Sequence, residues 1–193
     1  VGVRGQYLFD NSWNFVGGVM FDFDLFDDYY DGERLVVDMG VNYNFDATKY
    51  TLDYDKLPVM DKWLLSKLNS VVKAVDENLD NYRIPEAARA LDSFVDEMSN
   101  WYVRRGRERF WAKGMEQDKI NAYMTLYTAL VTISKAAAPM IPFMTEDIYR
   151  NLVCSIDASA PESVHLCDFP TVNEAWIDTK LEEDMENVLK AVV

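Results

Sequence analysis

Four arginines and four aromatic residues are concentrated in one short stretch of this chain. It runs Ser99-Asn-Trp-Tyr-Val-Arg-Arg-Gly-Arg-Glu-Arg-Phe-Trp111, with Glu108 as its only acidic residue. Guanidinium groups pair with phosphates, and aromatic rings and guanidinium planes stack on flat bases, so this pattern is typical of a nucleic-acid contact. The alternative is a core helix whose arginine face is merely solvated, and composition alone favours that alternative.

If the stretch is one α-helix, its basic residues do not form a single stripe. At 100° per residue, Trp101 and Arg105 lie on neighbouring lines, whereas Arg104 and Arg107 lie on the far side. The sequence therefore predicts a collar of arginines around an exposed helix end.

The rest of the chain is acidic. Its 193 residues include 33 Asp and Glu against 19 Lys and Arg, a net charge of -14, which argues against a general nucleic-acid binder but allows a local basic patch. Hydrophobic residues make up 49%, enough for one ordinary core. No run approaches the roughly 18–20 apolar residues that cross a membrane. The chain opens Val-Gly-Val-Arg without an initiator Met or a secretory leader pattern, so we expect a piece of a larger protein.

Thiol and imidazole groups are too few for a metal or catalytic site. Cys154 and Cys167 are too far apart for a Cys-x-x-Cys pair, and the single histidine is His165. We expect free, buried thiols in a reducing cytoplasm, and no metal.

Residues 1–56 form an aromatic and acidic segment whose fold the sequence leaves open between irregular and partly β. Apolar and acidic residues alternate over 21–25 in the period of a strand, and 35–37 could supply a return strand after a turn at Asp31-Gly32. The stretch 13–16 could end a short helix or be another strand.

The aspartates of this segment also suggest calcium. An EF-hand loop requires Gly at position 6 and Glu at position 12. A loop starting at Asp22 has Asp27 at position 6, and one starting at Asp27 has Tyr29 at position 3 and Asp38 at position 12. A solvated acidic segment is the better interpretation.

Beyond Pro58 the apolar spacing becomes helical. It predicts helices over 59–81, from Pro85 to about 112 or 113 with Gly114 as the stop, over 116–137, over 145–153, and over 178–193 with Leu181, Met185, Val188 and Leu189 inward. A loop is predicted over 155–163 and an extended segment over 164–170. The methionines at 98, 115, 124, 140 and 144 are predicted to fill the core.

Three motifs besides the arginine stretch carry a family resemblance: residues 57–69 (LPVMDKWLLSKLN), 136–149 (AAAPMIPFMTEDIY) and 163–170 (SVHLCDFP). Together they resemble the anticodon-binding domain of class I aminoacyl-tRNA synthetases, of the isoleucyl type, over about 56–190. The resemblance implies a mainly α fold: a helix bundle over 57–153, with 154–193 packing on it as a loop, a short extended segment and an acidic helix.

The resemblance also implies a function. The HIGH and KMSKS signatures of the family's catalytic domain are absent from this sequence, so it implies a non-catalytic fragment of an isoleucine–tRNA ligase, with ATP and Mg acting only in the parent enzyme. The implied partners are isoleucine tRNA and the catalytic domain of the same chain. The implied setting is cytoplasmic, away from membranes, as a monomer.

Within such a domain the arginine stretch would face the tRNA, because splayed anticodon bases stack on rings while phosphates meet cations. We assign phosphate contacts to Arg104, Arg107, Arg109 and Lys113, with Arg105 as a weaker candidate. Trp101 and Trp111 are candidates for base stacking, although Trp101 is favoured as a core residue and Trp111 could pack under the following loop. A competing hypothesis is a helical protein-interaction module whose arginines bind an acidic partner.

Overall fold

The computed structural model describes residues 2–10, 13–22, 34–43, 47–112, 114 and 116–192. Its contacts divide the chain into two compact units, Val1–Asp46 and Ala47–Val193.

The first unit is an antiparallel sheet. Its strands are β1 (Gly2–Asp10), β2 (Trp13–Asp22) and β3 (Arg34–Tyr43), in the order β1-β2-β3. Phe21 pairs with Leu35, so the expected return strand is present, and 13–16 is strand rather than helix. The predicted turn at 31–32 and the aspartates between 23 and 33 lie outside the described residues. Of the two alternatives for the segment 1–56, partly β is the one observed, since 2–10, 13–22 and 34–43 are strands and 47–56 contains 3-10 turns.

The second unit is a helix bundle, as predicted. Its helices are α1 (Val59–Asp80), α2 (Ile84–Glu97), α3 (Arg107–Trp111), α4 (Gln117–Ala137), α5 (Pro142–Tyr149) and α6 (Thr179–Val192). Two π-helical segments, Met98–Val103 and Arg150–Cys154, follow α2 and α5. Short 3-10 turns occupy Ala47–Lys49, Tyr54–Lys56, Val164–Leu166 and Glu174–Trp176.

Helix α1 is the centre of the bundle, because α2, α4 and α6 all pack on it. Its apolar stripe repeats at three and four residues, so it presents one continuous face to these neighbours. The stripe is buried at Trp63, Leu64, Leu65, Leu68, Val71, Val72 and Val75. Each such side chain contributes roughly 1.5–3 kcal/mol on removal from water.

The end of α1 is closed by a Schellman turn. Arg83 N–H donates to Asn78 C=O at 2.7 Å, and Tyr82 N–H donates to Leu79 C=O at 3.0 Å. Tyr82 takes the left-handed position, with φ of 56°. The helix α2 then begins with Pro85 in its first turn, where the missing N–H costs no helical hydrogen bond.

Side chains from both flanks of the bundle pack on its core. Before α1, Tyr54 stacks on Trp176 with ring centroids 5.1 Å apart, so part of the predicted segment 1–56 belongs to the helical unit. On α6, Glu182 accepts hydrogen bonds from the hydroxyls of Ser66 and Ser70 on α1, the latter at 2.9 Å. The C-terminal helix therefore packs on the bundle as expected.

Several predicted details are wrong. Helix α5 begins at Pro142 rather than 145, since Pro is suited to a first helical turn. The segment 164–170, predicted to be extended, begins with a 3-10 turn. Met144 is 63% exposed and Val188 is 49% exposed, so neither fills the core. Met115 lies outside the described residues.

Candidate nucleic-acid interface

The arginine stretch is not one straight α-helix. After Glu97 the backbone widens into a π-helical segment, in which the N–H of Arg104 donates to the C=O of Ser99, five residues back, at 3.0 Å. A turn over 104–106 follows, and then α3. The prediction of a continuous helix to 112 or 113 is therefore wrong, and Gly114, with φ of 81°, lies after α3 has ended.

Gly106 allows this turn. A Cβ at this position would lie 2.6 Å from the C=O of Tyr102 and 3.3 Å from the ring of Phe110. The Gly106 N–H donates to that same carbonyl at 2.9 Å, so the backbone needs the close approach. Only glycine fits there without displacing its neighbours.

Three arginines converge where the helix is broken. A regular helix separates Arg105 from Arg104 and Arg107, as the helical wheel predicted, but the turn over 104–106 interrupts the helical spacing among these residues. In the structure these three exposed arginines line a single open groove of about 500 Å³, together with Asn100 and Trp101. A groove replaces the predicted collar.

Trp101 and Arg105 form a stacked pair. The Arg105 guanidinium lies 4.4 Å from the centroid of the Trp101 ring, within the range of a cation–π contact. Trp101 is half-buried and also packs against the core. The predicted core role is thus combined with a position on the groove wall, where the ring orients a guanidinium plane.

Arg109 has a different environment. Its Nη1 and Nη2 donate to the two oxygens of Asp61 at 2.7 and 3.0 Å, and its Nε and Nη2 donate to Asp118 at 2.8 Å each. Its side chain is only 23% exposed. Two carboxylates occupy this guanidinium, so we reassign Arg109 from phosphate contact to holding α3 in place.

Asp61 is a fully buried carboxylate in the first turn of α1. Besides Arg109 it accepts a hydrogen bond of 2.8 Å from the hydroxyl of Tyr102. The hydrogen bonds to Asp61 hold the pKa of the Arg109 guanidinium above its ordinary value. Burial, together with the Asp61 charge, raises the pKa of the Tyr102 phenol. A cation and a neutral phenol therefore face this carboxylate at neutral pH.

Three aromatic rings pack against one another between the arginine stretch and α4. Tyr102 meets Phe110 edge-on at 6.0 Å between centroids, and Phe110 meets Tyr123 in the same way at 5.5 Å. These rings fix α3 against α4. The aromatic residues of the stretch thus serve largely as packing that supports the arginines.

Two predicted site residues cannot be placed. The side chain of Trp111 and the whole of Lys113 lie outside the described residues, so both stay predictions. Sequence reasoning also missed Asn100, whose Nδ2 donates to Asp96 at 2.8 Å. The available signal was its spacing, four residues before Arg104 on the same helix face, but an amide carries no charge and was passed over.

The described part of the chain shows no grouping of thiols, imidazoles and carboxylates suited to a metal. Cys154 and Cys167 are half-buried free thiols, and within the described residues no three His, Cys, Asp or Glu side chains are grouped as metal ligands would be. Among the described helices none combines the length and apolar character needed to span a bilayer.

Comparison with known proteins assigns the helical unit. The family described as the anticodon-binding domain of tRNA ligase matches residues 61–193. The chain belongs to this family. The groove at residues 100–107 lies inside the anticodon-binding domain so defined, and the resemblance drawn from the motifs is confirmed.

Individual relatives of this anticodon-binding domain carry one enzyme name. An isoleucine–tRNA ligase of Clostridium novyi is 56% identical over 140 residues, which cover 72% of this chain and 14% of that protein. Isoleucine–tRNA ligase 2 of Bacillus cereus is 49% identical over 150 residues, covering 77% and 14%. An isoleucine–tRNA ligase of Methanosarcina mazei is 44% identical over 153 residues, covering 78% and 14%. The chain thus spans about a seventh of the length of these relatives.

Proposed function

We propose that this chain binds the anticodon region of isoleucine tRNA as part of an isoleucine–tRNA ligase. The observation that carries the proposal is the groove, where Arg104, Arg105 and Arg107 converge in an otherwise acidic chain. Membership of the anticodon-binding family and the names of the relatives support the choice of ligand.

The groove offers two kinds of contact. Arg104 and Arg107 are exposed cations at its wall and would pair with backbone phosphates. The plane of Arg105, backed by Trp101, would stack on an unpaired base, as guanidinium planes do in single-stranded RNA recognition. Asn100 adds an amide that can hydrogen-bond to a base edge.

In this proposal the ATP-dependent joining of isoleucine to tRNA takes place in the catalytic domain of the longer enzyme, where ATP and Mg would act. The catalytic domain of the same polypeptide is then the second partner. The setting is the cytoplasm, with the enzyme as a monomer.

Titration of the 193-residue chain with an isoleucine tRNA transcript tests the proposal, with fluorescence anisotropy as the readout at several salt concentrations. The double variant Arg104→Ala and Arg107→Ala should weaken binding about tenfold or more and lower the salt slope by roughly 1.4, about 0.7 for each single-strand phosphate contact. Arg83→Ala with Arg89→Ala is the matched control, because it removes the same charge from exposed positions outside the groove. This control should leave the salt slope nearly unchanged.

A second titration uses the same tRNA with an altered anticodon. Weaker binding of the altered tRNA supports anticodon contact. If the chain binds neither tRNA at low salt, the RNA assignment is wrong, and the competing hypothesis of an acidic protein partner takes its place.

A further inference from the structure

One buried carboxylate holds both ends of the segment that carries the groove arginines. Asp61 Oδ1 accepts from the Tyr102 hydroxyl at 2.8 Å and from Arg109 Nη1 at 2.7 Å. Tyr102 lies two residues before Arg104, and Arg109 lies two residues after Arg107. The intervening turn is therefore closed across a single side chain of another helix.

The backbone of that turn keeps only part of the helical hydrogen-bond ladder, in which the Gly106 N–H still donates to the Tyr102 C=O at 2.9 Å. It contains Gly106, and its regular helical ladder is interrupted between the π-segment and α3. Glycine and a broken ladder allow several backbone conformations, so contacts at the two ends must select one of them. Arg109 and Tyr102 supply these contacts through Asp61.

We infer that Asp61 is a positioning residue for the RNA-binding groove, acting through Arg109 and Tyr102 without touching the RNA. The inference rests on the proposed function of the groove. Asp61 is fully buried and acidic, whereas a residue that binds phosphate is exposed and basic. The inference therefore assigns a role in RNA binding to a residue that cannot contact the RNA itself.

A purely electrostatic effect of Asp61 and a positioning role predict opposite changes in RNA affinity for Asp61→Asn. Removing a negative charge from the domain that carries the groove should strengthen RNA binding if charge alone matters. If Asp61 positions the arginines, loosening the turn should weaken binding. Whether affinity rises or falls therefore distinguishes the electrostatic effect from the positioning role.

Asp118→Asn is the matched control. Asp118 also contacts Arg109, at 2.8 Å, but it is more than half exposed and has no contact with Tyr102 among those described. This variant removes the same charge from the same guanidinium while leaving the attachment to α1. Its affinity for RNA should be unchanged or higher.

The experiment measures isoleucine tRNA binding by anisotropy at several salt concentrations, at a temperature where circular dichroism shows each variant folded. Asp61→Asn should bind about tenfold more weakly, with a salt slope lowered toward that of the Arg104→Ala and Arg107→Ala double variant. The Arg104→Ala and Arg107→Ala substitutions should then reduce RNA affinity by a smaller factor in Asp61→Asn than in the unchanged chain. Binding by folded Asp61→Asn that equals or exceeds that of the unchanged chain would overturn the inference.

One further variant, and the result for the double variant, complete the test. If Asp61→Asn does not fold, Tyr102→Phe takes its place, since it keeps the ring and removes one donor to Asp61; a loss of about threefold supports the inference and unchanged binding overturns it. If the double variant binds as well as the unchanged chain, the groove is not the RNA site and the proposed function fails. If the double variant loses affinity while Asp61→Asn does not, only the positioning role fails.

Discussion

Arg109 and Asp61, 48 residues apart in sequence, form a two-point ion pair with distances of 2.7 and 3.0 Å between nitrogen and oxygen. The pair joins α3 to the first turn of α1, and its carboxylate is fully buried. A buried charge is tolerated only when it is paired and hydrogen-bonded. The fold of the arginine stretch therefore depends on this contact.

Arg109→Gln should be strongly destabilising, because it leaves Asp61 with an uncompensated buried charge. Loss of one partner of such a pair costs roughly 3–5 kcal/mol in the free energy of unfolding, measured by urea denaturation. Arg150→Gln is the control, since Arg150 is exposed and pairs with half-buried Glu146 one helical turn away, where a loss of about 0.5 kcal/mol is expected. Similar urea midpoints of unfolding for Arg109→Gln and Arg150→Gln would refute the structural role of Arg109.

Gly106→Ala should disrupt the turn. The new Cβ would lie 2.6 Å from a backbone carbonyl, which can only be relieved by moving the backbone. We expect a loss of roughly 1–3 kcal/mol in the free energy of unfolding, as for other overpacked sites. Gly114→Ala is a useful comparison, because there the left-handed φ of 81° is the cost and no atom lies within 4 Å of the added Cβ. Loss of tRNA affinity should accompany Gly106→Ala and not Gly114→Ala.

The helices were predictable because their signal is local. Apolar residues at three and four residue spacing marked α1 within one residue of its observed ends, and Pro139 and Pro142 marked the break after α4. The groove was predictable only in its residue types. Periodicity assumes one helical pitch, so it could not show that a turn after the π-segment brings Arg104, Arg105 and Arg107 to one groove.

Arg109 shows that the role of a residue, like its position, can depend on contacts that the sequence does not reveal. In the sequence it is one of four similar arginines, and Asp61 is an acidic residue in a first helical turn, where it would ordinarily face water. Their pairing is a long-range contact, which neither composition nor spacing reports. The resemblance to a family gave the ligand class, and the contacts separated the arginine that supports the groove from those that line it.

Glu182→Ala should loosen α6. Glu182 accepts hydrogen bonds from Ser66 and Ser70, and the buried Ser66 hydroxyl in turn accepts from the Asp178 N–H at 2.7 Å. Removing the carboxylate leaves a buried hydroxyl poorly satisfied, at a cost of about 1–3 kcal/mol. The measurement is urea unfolding together with amide exchange in α6, which should become faster. Glu183→Ala, at the exposed neighbouring position, should change neither quantity.

The last prediction concerns pH. Hydrogen bonds from the Ser163 hydroxyl at 2.8 Å and the Val164 N–H at 3.0 Å reach Glu146, and the Ser163 bond is the largest cause of the lowered pKa of this carboxyl. A folded pKa below the unfolded one means that the contribution to stability is present above the unfolded pKa and is lost as pH falls through the folded pKa. Ser163→Ala should raise the Glu146 pKa toward 4.5, the ordinary value, as followed by carboxyl carbon shifts in NMR. It should also reduce the loss of stability on acidification.

Ser159→Ala is the control, because it removes the equivalent bond to Asp157. It should shift the Asp157 pKa upward and leave the Glu146 pKa unchanged. An unshifted Glu146 pKa in Ser163→Ala would show that the 163–164 segment is not held to α5 by this carboxylate.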